Sequence, residues 1–170
     1  MLLNKSYRNK YLSLIHNIFY NVSEYSKLNA NKLQNLMNGD FGVFMLTLYY
    51  YEYINEFTDN NWYSTNLELL ENILLSIPLL KEYTFATGVT GVLWGINYLI
   101  KNDFIELSSN DSLIKFDELL ARKAQINFQY DFLHGALGIV LYFLSENNEK
   151  ADNYVSDFID EFEKKSKKNN

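Results

Sequence analysis

Few residues in this sequence are equipped for chemistry. There are two histidines and no cysteine, so disulfides and thiolate metal sites are excluded within these 170 residues. His134 has no second ligand type beside it and reads as a hydrogen-bonded or rim histidine. His16 falls on the polar side of a helical pattern and reads as solvated surface. Asp131 stands four residues before a glycine pair, where an aspartate commonly caps a helix or its lead-in turn. Asp40 sits inside another glycine pair and reads as a first-turn acid that complements the helix dipole. Two carboxylates, Asp40 and Asp131, could recur to glycosidase-type acid and base roles. They hold different places relative to their glycines, and the sequence does not set their separation.

The elements that must position these groups are built around one repeated device. Gly39-Asp40-Phe41-Gly42, Gly88-Val89-Thr90-Gly91 and Gly135-Ala136-Leu137-Gly138 contain six of the seven glycines, and the pairs are spaced 49 and 47 residues apart. The seventh, Gly95, lies one turn along from the second pair. Repetition at such a period signals a stacked supersecondary unit. After each pair comes a nearly unbroken apolar and aromatic run, Phe41 to Tyr51, Val89 to Ile100 and Ala136 to Leu144. Each is long for a strand and lacks two-residue alternation, so each is expected to be a helix buried on most sides. The first glycine of a pair is expected to take a positive φ at the entry turn. The second would lie in the first turn, where a missing side chain admits a neighbouring backbone. A glycine in a helix costs roughly 1 kcal/mol against alanine, so three such placements call for a packing reason.

Amphipathic patterns alternate with these runs. Leu12, Ile15, Ile18, Phe19 and Val22 mark a helix over about Tyr7 to Tyr25, and Asn31 to Met37 adds a turn or two. The first apolar helix is expected to run to about Phe57. Thr65 and Glu68 form a capping-box pattern ahead of the stripe Leu67, Leu70, Ile73, Leu74 and Ile77, and Pro78 stops or kinks that helix. Ser108 to Ser112 reads as a helix start before Leu113, Phe116, Leu119, Leu120, Ala124 and Phe128. A last helix over about Lys150 to Lys164 carries Tyr154, Val155, Phe158, Ile159 and Phe162.

This order predicts a single all-α domain over residues 1–170, made of three helical hairpins plus one further outer helix. Apolar helices would stand inside, parallel to one another, with amphipathic helices outside and antiparallel to them. Stacked hairpins curve, and three of them give an arc, an incomplete α/α toroid with an apolar edge open to self-association. The amino ends of the inner helices would share one rim. Two readings of the glycines stay open there: a bowl of amides and dipoles suited to an anion, or close packing alone.

Tyr130-Asp131-Phe132-Leu133-His134-Gly135-Ala136-Leu137-Gly138-Ile139 resembles the Asp-x-x-x-Gly-x-x-Gly segment of lanthionine synthetase C-like (LanC-like) proteins, and the two earlier pairs fall where that family places its preceding inner helices. The resemblance implies a ring of seven inner and seven outer helices. It implies an enzyme that adds cysteine thiols to dehydroalanine or dehydrobutyrine in a dehydrated precursor peptide, with zinc held by two cysteines and a histidine. It also implies a dehydratase as partner, cytoplasmic and peripheral to the membrane in a biosynthetic complex, and an active-site role for Asp131. The family's zinc ligands lie in the later half of its ring. The chain is therefore expected to be an N-terminal part of a larger toroid, with no metal or cofactor site of its own and no activity alone, and with zinc in the full-length parent. The other reading is a non-catalytic α-solenoid that binds a peptide or protein.

Composition limits the partners further. The net charge is −6, with 48% hydrophobic and 16% aromatic residues. That suits a packed core and argues against nucleic acid, which selects a basic surface. The same balance, with the threefold repetition, sets aside the Gly-x-x-Gly loop of one RNA-binding module. No apolar run approaches the roughly 18 residues of a membrane span. The polar start at Asn4 to Lys10 lacks the apolar core of a signal peptide, so a cytoplasmic protein is expected.

Overall fold

The computed structural model describes residues 5–28, 35–37, 39–54, 60–106, 115–126 and 129–168. They form helices α1 (Lys5–Leu28), α2 (Asp40–Ile54), α3 (Asn60–Ser76), α4 (Val89–Lys101), α5 (Asp117–Ile126), α6 (Ala136–Glu146) and α7 (Glu149–Lys168), with a 3-10 turn at Ile77–Leu79. No strand occurs among the described residues.

The three glycine-opened runs are helices α2, α4 and α6. In α4 the side chains of Val89, Val92, Leu93, Ile96 and Leu99 are buried, and so are Thr90, Gly91 and Gly95 on its other faces. The outer helices are amphipathic. Leu70 and Ile73 of α3, Ile77 just beyond it, Leu120 and Ala124 of α5, and Ala151 and Phe158 of α7 join the same core as Phe41, Phe44, Ile139 and Phe143. Pro78 ends α3 as its sequence requires: without an N–H it cannot continue the ladder, and the chain tightens into the 3-10 turn.

Contacts at both ends fix the direction of the inner helices. Ahead of their amino ends, Met37 N–H donates to Ala86 O (3.1 Å) and Ala86 N–H to Leu133 O (2.9 Å). Towards their carboxyl ends, Tyr49 Oη donates to Tyr98 Oη at 2.5 Å, and Asn97 Nδ2 donates to Glu146 Oε1. Like ends meet like ends, so α2, α4 and α6 are parallel. The outer layer runs against them. Phe143 near the end of α6 packs on Tyr154 early in α7, whereas Tyr130, before α6, packs on Phe162 late in α7. Lys165 of α7 also donates to the Gln125 carbonyl near the end of α5 (2.6 Å). This is the α/α toroid architecture as an incomplete arc.

Several details differ from expectation. Gly88 and Gly135 do not turn through positive φ; their backbones are extended (φ −118° and −116°), and no described glycine has a positive φ. Close approach is what requires glycine here. A Cβ on Gly42, Gly91 or Gly138 would lie within 3.0 Å of the carbonyl oxygen of Leu36, Phe85 or Phe132 respectively, six residues earlier in each case. The expected packing role of the second glycine therefore holds in all three repeats. Helix α3 starts at Asn60, so Thr65 lies inside it and not at its start. Helix α5 starts at Asp117, and Leu113 and the start signal at Ser108 to Ser112 lie outside the described residues, as do residues 31–34, 55–59 and Phe128. Helix α7 extends past Lys164 to Lys168. Ile18, Ile159 and Phe162, on the apolar faces of their helices, are exposed.

If backbone approach dictates these glycines, position matters more than residue type. Gly91→Ala forces a methyl group onto a main-chain oxygen and is expected to lower the unfolding free energy by about 3 kcal/mol, as overpacking does. At Gly95 the new methyl meets the Phe41 ring and the Met45 sulfur, which can shift, and Ala gains about 1 kcal/mol in helix propensity, so the net loss is expected to be about 1 kcal/mol or less. Urea unfolding of both variants measures this; equal losses would contradict it.

Candidate functional site at the inner-helix rim

The rim is formed by the lead-in turns of α4 and α6, which have the same construction. Gly88 N–H donates to Thr84 O and Val89 N–H to Glu82 O; Gly135 N–H donates to Asp131 O and Ala136 N–H to Gln129 O. The side chains repeat as well. Thr84 Oγ1 accepts from Thr87 N–H at 3.2 Å, and Asp131 Oδ2 accepts from His134 N–H at 2.7 Å. Thr84 and Asp131 thus hold one position, four residues before the glycine pair. In the first repeat that position is Asn35, which is fully buried. All three residue types close Asx- or ST-turns with their side chains. Only Asp131 was singled out from the sequence; the spacing Asn35–Gly39, Thr84–Gly88 and Asp131–Gly135 was a signal available for the other two.

Asp131 differs from Thr84 in charge and in its neighbour. Its Oδ1 also accepts Leu133 N–H (3.1 Å), and His134 Nδ1 lies 3.2 Å from Oδ2. The amides of His134 and then Leu133, followed by the imidazole, hold its carboxyl below the usual carboxylate range. Both side chains are about half exposed. The pair is an ionised acceptor with an imidazole braced against it, open to solvent at the mouth of the arc. At neutral pH Asp131 accepts hydrogen bonds and donates none.

The other candidates lie apart from it. Asp40 is in the first turn of α2, as expected, and α4 packs against both α2 and α6, between the rims of Asp40 and Asp131. His16 is exposed but not simply solvated: its Nδ1 meets the hydroxyl of Tyr50, which is buried on the far part of α2. The two histidines are therefore at opposite ends of the layer. Towards the end of α2, Tyr50 is core and Tyr49 is exposed.

The two readings of the glycines can now be weighed. The first amides of α4 and α6 already bond to lead-in carbonyls, and the carbonyls of Phe85 and Phe132 crowd the first turns. Packing explains the glycines, and an anion bowl built from these amides has little left to offer.

The sequence model of the family described as Lanthionine synthetase C-like protein matches residues 31–170. The chain belongs to the lanthionine synthetase C-like family. No curated protein and no solved structure matches it. The zinc associated with LanC-like proteins does not fit the residues described: they contain no cysteine and no group of three or more His, Cys, Asp or Glu side chains able to hold a metal ion. No helix among the described residues is long and apolar enough to cross a membrane.

The equivalence of Asp131 and Thr84 gives a direct test of the turn. Asp131→Ala is expected to lower the melting temperature, and Asp131→Thr to restore most of the loss. Because folding depresses this carboxyl, its contribution is complete above the ordinary carboxylate value and is lost as pH falls through the folded one. The gap between wild type and Asp131→Thr is therefore expected to narrow on acidification below about pH 4. Equal melting temperatures for the Ala and Thr variants would contradict the shared role.

Proposed function

We propose that these residues form the early wall and rim of a LanC-like ring that closes thioether bridges in a dehydrated precursor peptide, delivered by a partner dehydratase. In that reaction a cysteine thiol gives up its proton and its sulfur bonds to the β-carbon of dehydroalanine or dehydrobutyrine. The double-bond electrons move to the α-carbon side as an enolate, and a proton adds to the α-carbon. The zinc of the family chemistry would be held by residues other than those described. The observation that carries the reading is the family match over residues 31–170, joined with the lead-in turn of α6 that holds His134 against Asp131 at an exposed rim. Asp131 is assigned to the active site as an ionised acceptor. Its held charge suits it to orient a substrate N–H or the His134 imidazole, and not to supply the α-carbon proton.

A non-catalytic peptide- or protein-binding solenoid is the second reading. It is favoured by exposed Phe132, Leu137 and Leu144 along one side of the third repeat.

The full-length protein that contains these residues, supplied with zinc and a dehydrated cysteine-containing peptide, is expected to remove thiols from reaction with an alkylating reagent. Asp131→Asn is expected to slow this about tenfold or more, the loss of one charge-assisted contact in the transition state. If every thiol remains alkylatable with the wild-type protein, the scaffold reading stands instead.

A further inference from the structure

The end of the arc opposite the rim holds a buried acid cluster that neither the rim nor the family reaction uses. Asp117, the first residue of α5, is 8% exposed. A carboxylate so placed needs a partner, and Tyr142 of α6 supplies one, its hydroxyl donating to Asp117 Oδ1 at 2.8 Å. Glu146, one turn further along α6, faces the same hydroxyl. Its Oε1 also accepts Asn97 Nδ2 of α4, and its Oε2 accepts Asn148 Nδ2 at 3.4 Å. The cluster therefore ties α4, α5 and α6 at one point.

Counting protons shows what this arrangement demands. A phenol has one hydrogen and can donate to one carboxylate only. With that hydrogen on Asp117, Glu146 meets the phenol oxygen favourably only when Glu146 carries a proton. With both carboxyls ionised, two negative groups flank one hydroxyl in a largely apolar site. Among the described residues, cations act on the cluster from its edge. Lys150 of α7 acts on Asp117 and lies 3.7 Å from Glu118, and Lys101 of α4 acts on Glu146. Glu118 of α5 adds a further negative charge near Asp117, and Lys150 itself is shared with Tyr154 of α7.

We propose that Asp117, Tyr142 and Glu146 form a proton-operated clip, tight when one proton is held between the two carboxyl groups and looser when it leaves. Within the third hairpin, α5 is then fastened to α6 more firmly in mildly acidic than in alkaline solution. Burial first, and for Glu146 the neighbouring Asp117 charge second, raises both carboxyls above their usual range. For a group raised on folding, the stabilisation is complete below the unfolded value and is lost as pH rises through the folded one.

Carbon-13 carboxyl titration of the intact chain tests the clip. Glu146 is expected to titrate above the ordinary glutamate range, and Asp117→Asn to lower its midpoint by roughly one pH unit, as for two acids that share a site. Thermal melts give an independent readout should Asp117→Asn fail to fold. Glu146→Gln, which keeps a hydrogen-bonding group and removes the charge, is expected to raise the melting temperature at about pH 7.5 and to flatten its rise towards about pH 5.5. The exposed control Glu106→Gln is expected to do neither. A Glu146 midpoint in the ordinary range, or a pH slope unchanged by Glu146→Gln, overturns the proposal.

Discussion

One close approach governs this structure: a main-chain carbonyl seated where a glycine has no side chain, in the first turn of each inner helix. It recurs as Leu36 on Gly42, Phe85 on Gly91 and Phe132 on Gly138. The contact makes each lead-in segment cross the amino end of its own helix instead of running out from it. The lead-ins then lie side by side and exchange main-chain hydrogen bonds, Met37 to Ala86 and Ala86 to Leu133. An unmade bond of this kind in a buried segment costs about 1–3 kcal/mol, so the chain cannot stack its hairpins with the inner helices reversed without losing this seam.

The two ends of the layer are held by different chemistry. At the rim the seam is backbone, and the side chains of Thr84 and Asp131 serve the turns. At the far end side chains make the connections, Tyr49 to Tyr98 and Asn97 to Glu146. Between the ends runs a file of aromatic rings, from Phe132 to Phe85, Trp94 and Tyr98 and on to Tyr49. The main-chain hydrogen bonds of the seam carry no titrating group, though they rest on glycine at three positions and on the Asp131 carboxylate at one turn, whereas the far end is joined through side chains. The rim is therefore the part of the scaffold whose geometry the main chain holds.

The helices and their layers were legible because burial leaves a pattern. Runs such as Val89 to Ile100 are apolar on every face, Leu70, Ile73 and Ile77 recur at helical steps, and Pro78 removes a donor. The conformation of Gly88 and Gly135 was not legible, since glycine permits both a positive φ and a close contact, and only the path of the chain six residues earlier decides between them. Thr65 and Glu68 formed a capping pattern inside a helix that begins at Asn60. Of the candidate site, Asp131 was visible through its fixed distance to Gly135. Its kinship with Thr84 was hidden by the change of residue type, and the Asp117–Tyr142–Glu146 cluster by its assembly from separate helices.

Membership of the LanC-like family and the parallel seam rest on independent grounds, sequence likeness and hydrogen bonding, and the placement of Asp131 depends on the seam. The absence of native cysteine makes paired spin labels at introduced cysteines a clean probe of it. Label pairs at Thr87 with His134 and at Asn102 with Asn147 are expected to give short distances. The crossed pairs, Thr87 with Asn147 and Asn102 with His134, are expected to lie at or just beyond the length of an inner helix, roughly 20 Å at 1.5 Å per residue. Short crossed distances with long like-end distances would mean neighbouring inner helices run in opposite directions, and the account would fail.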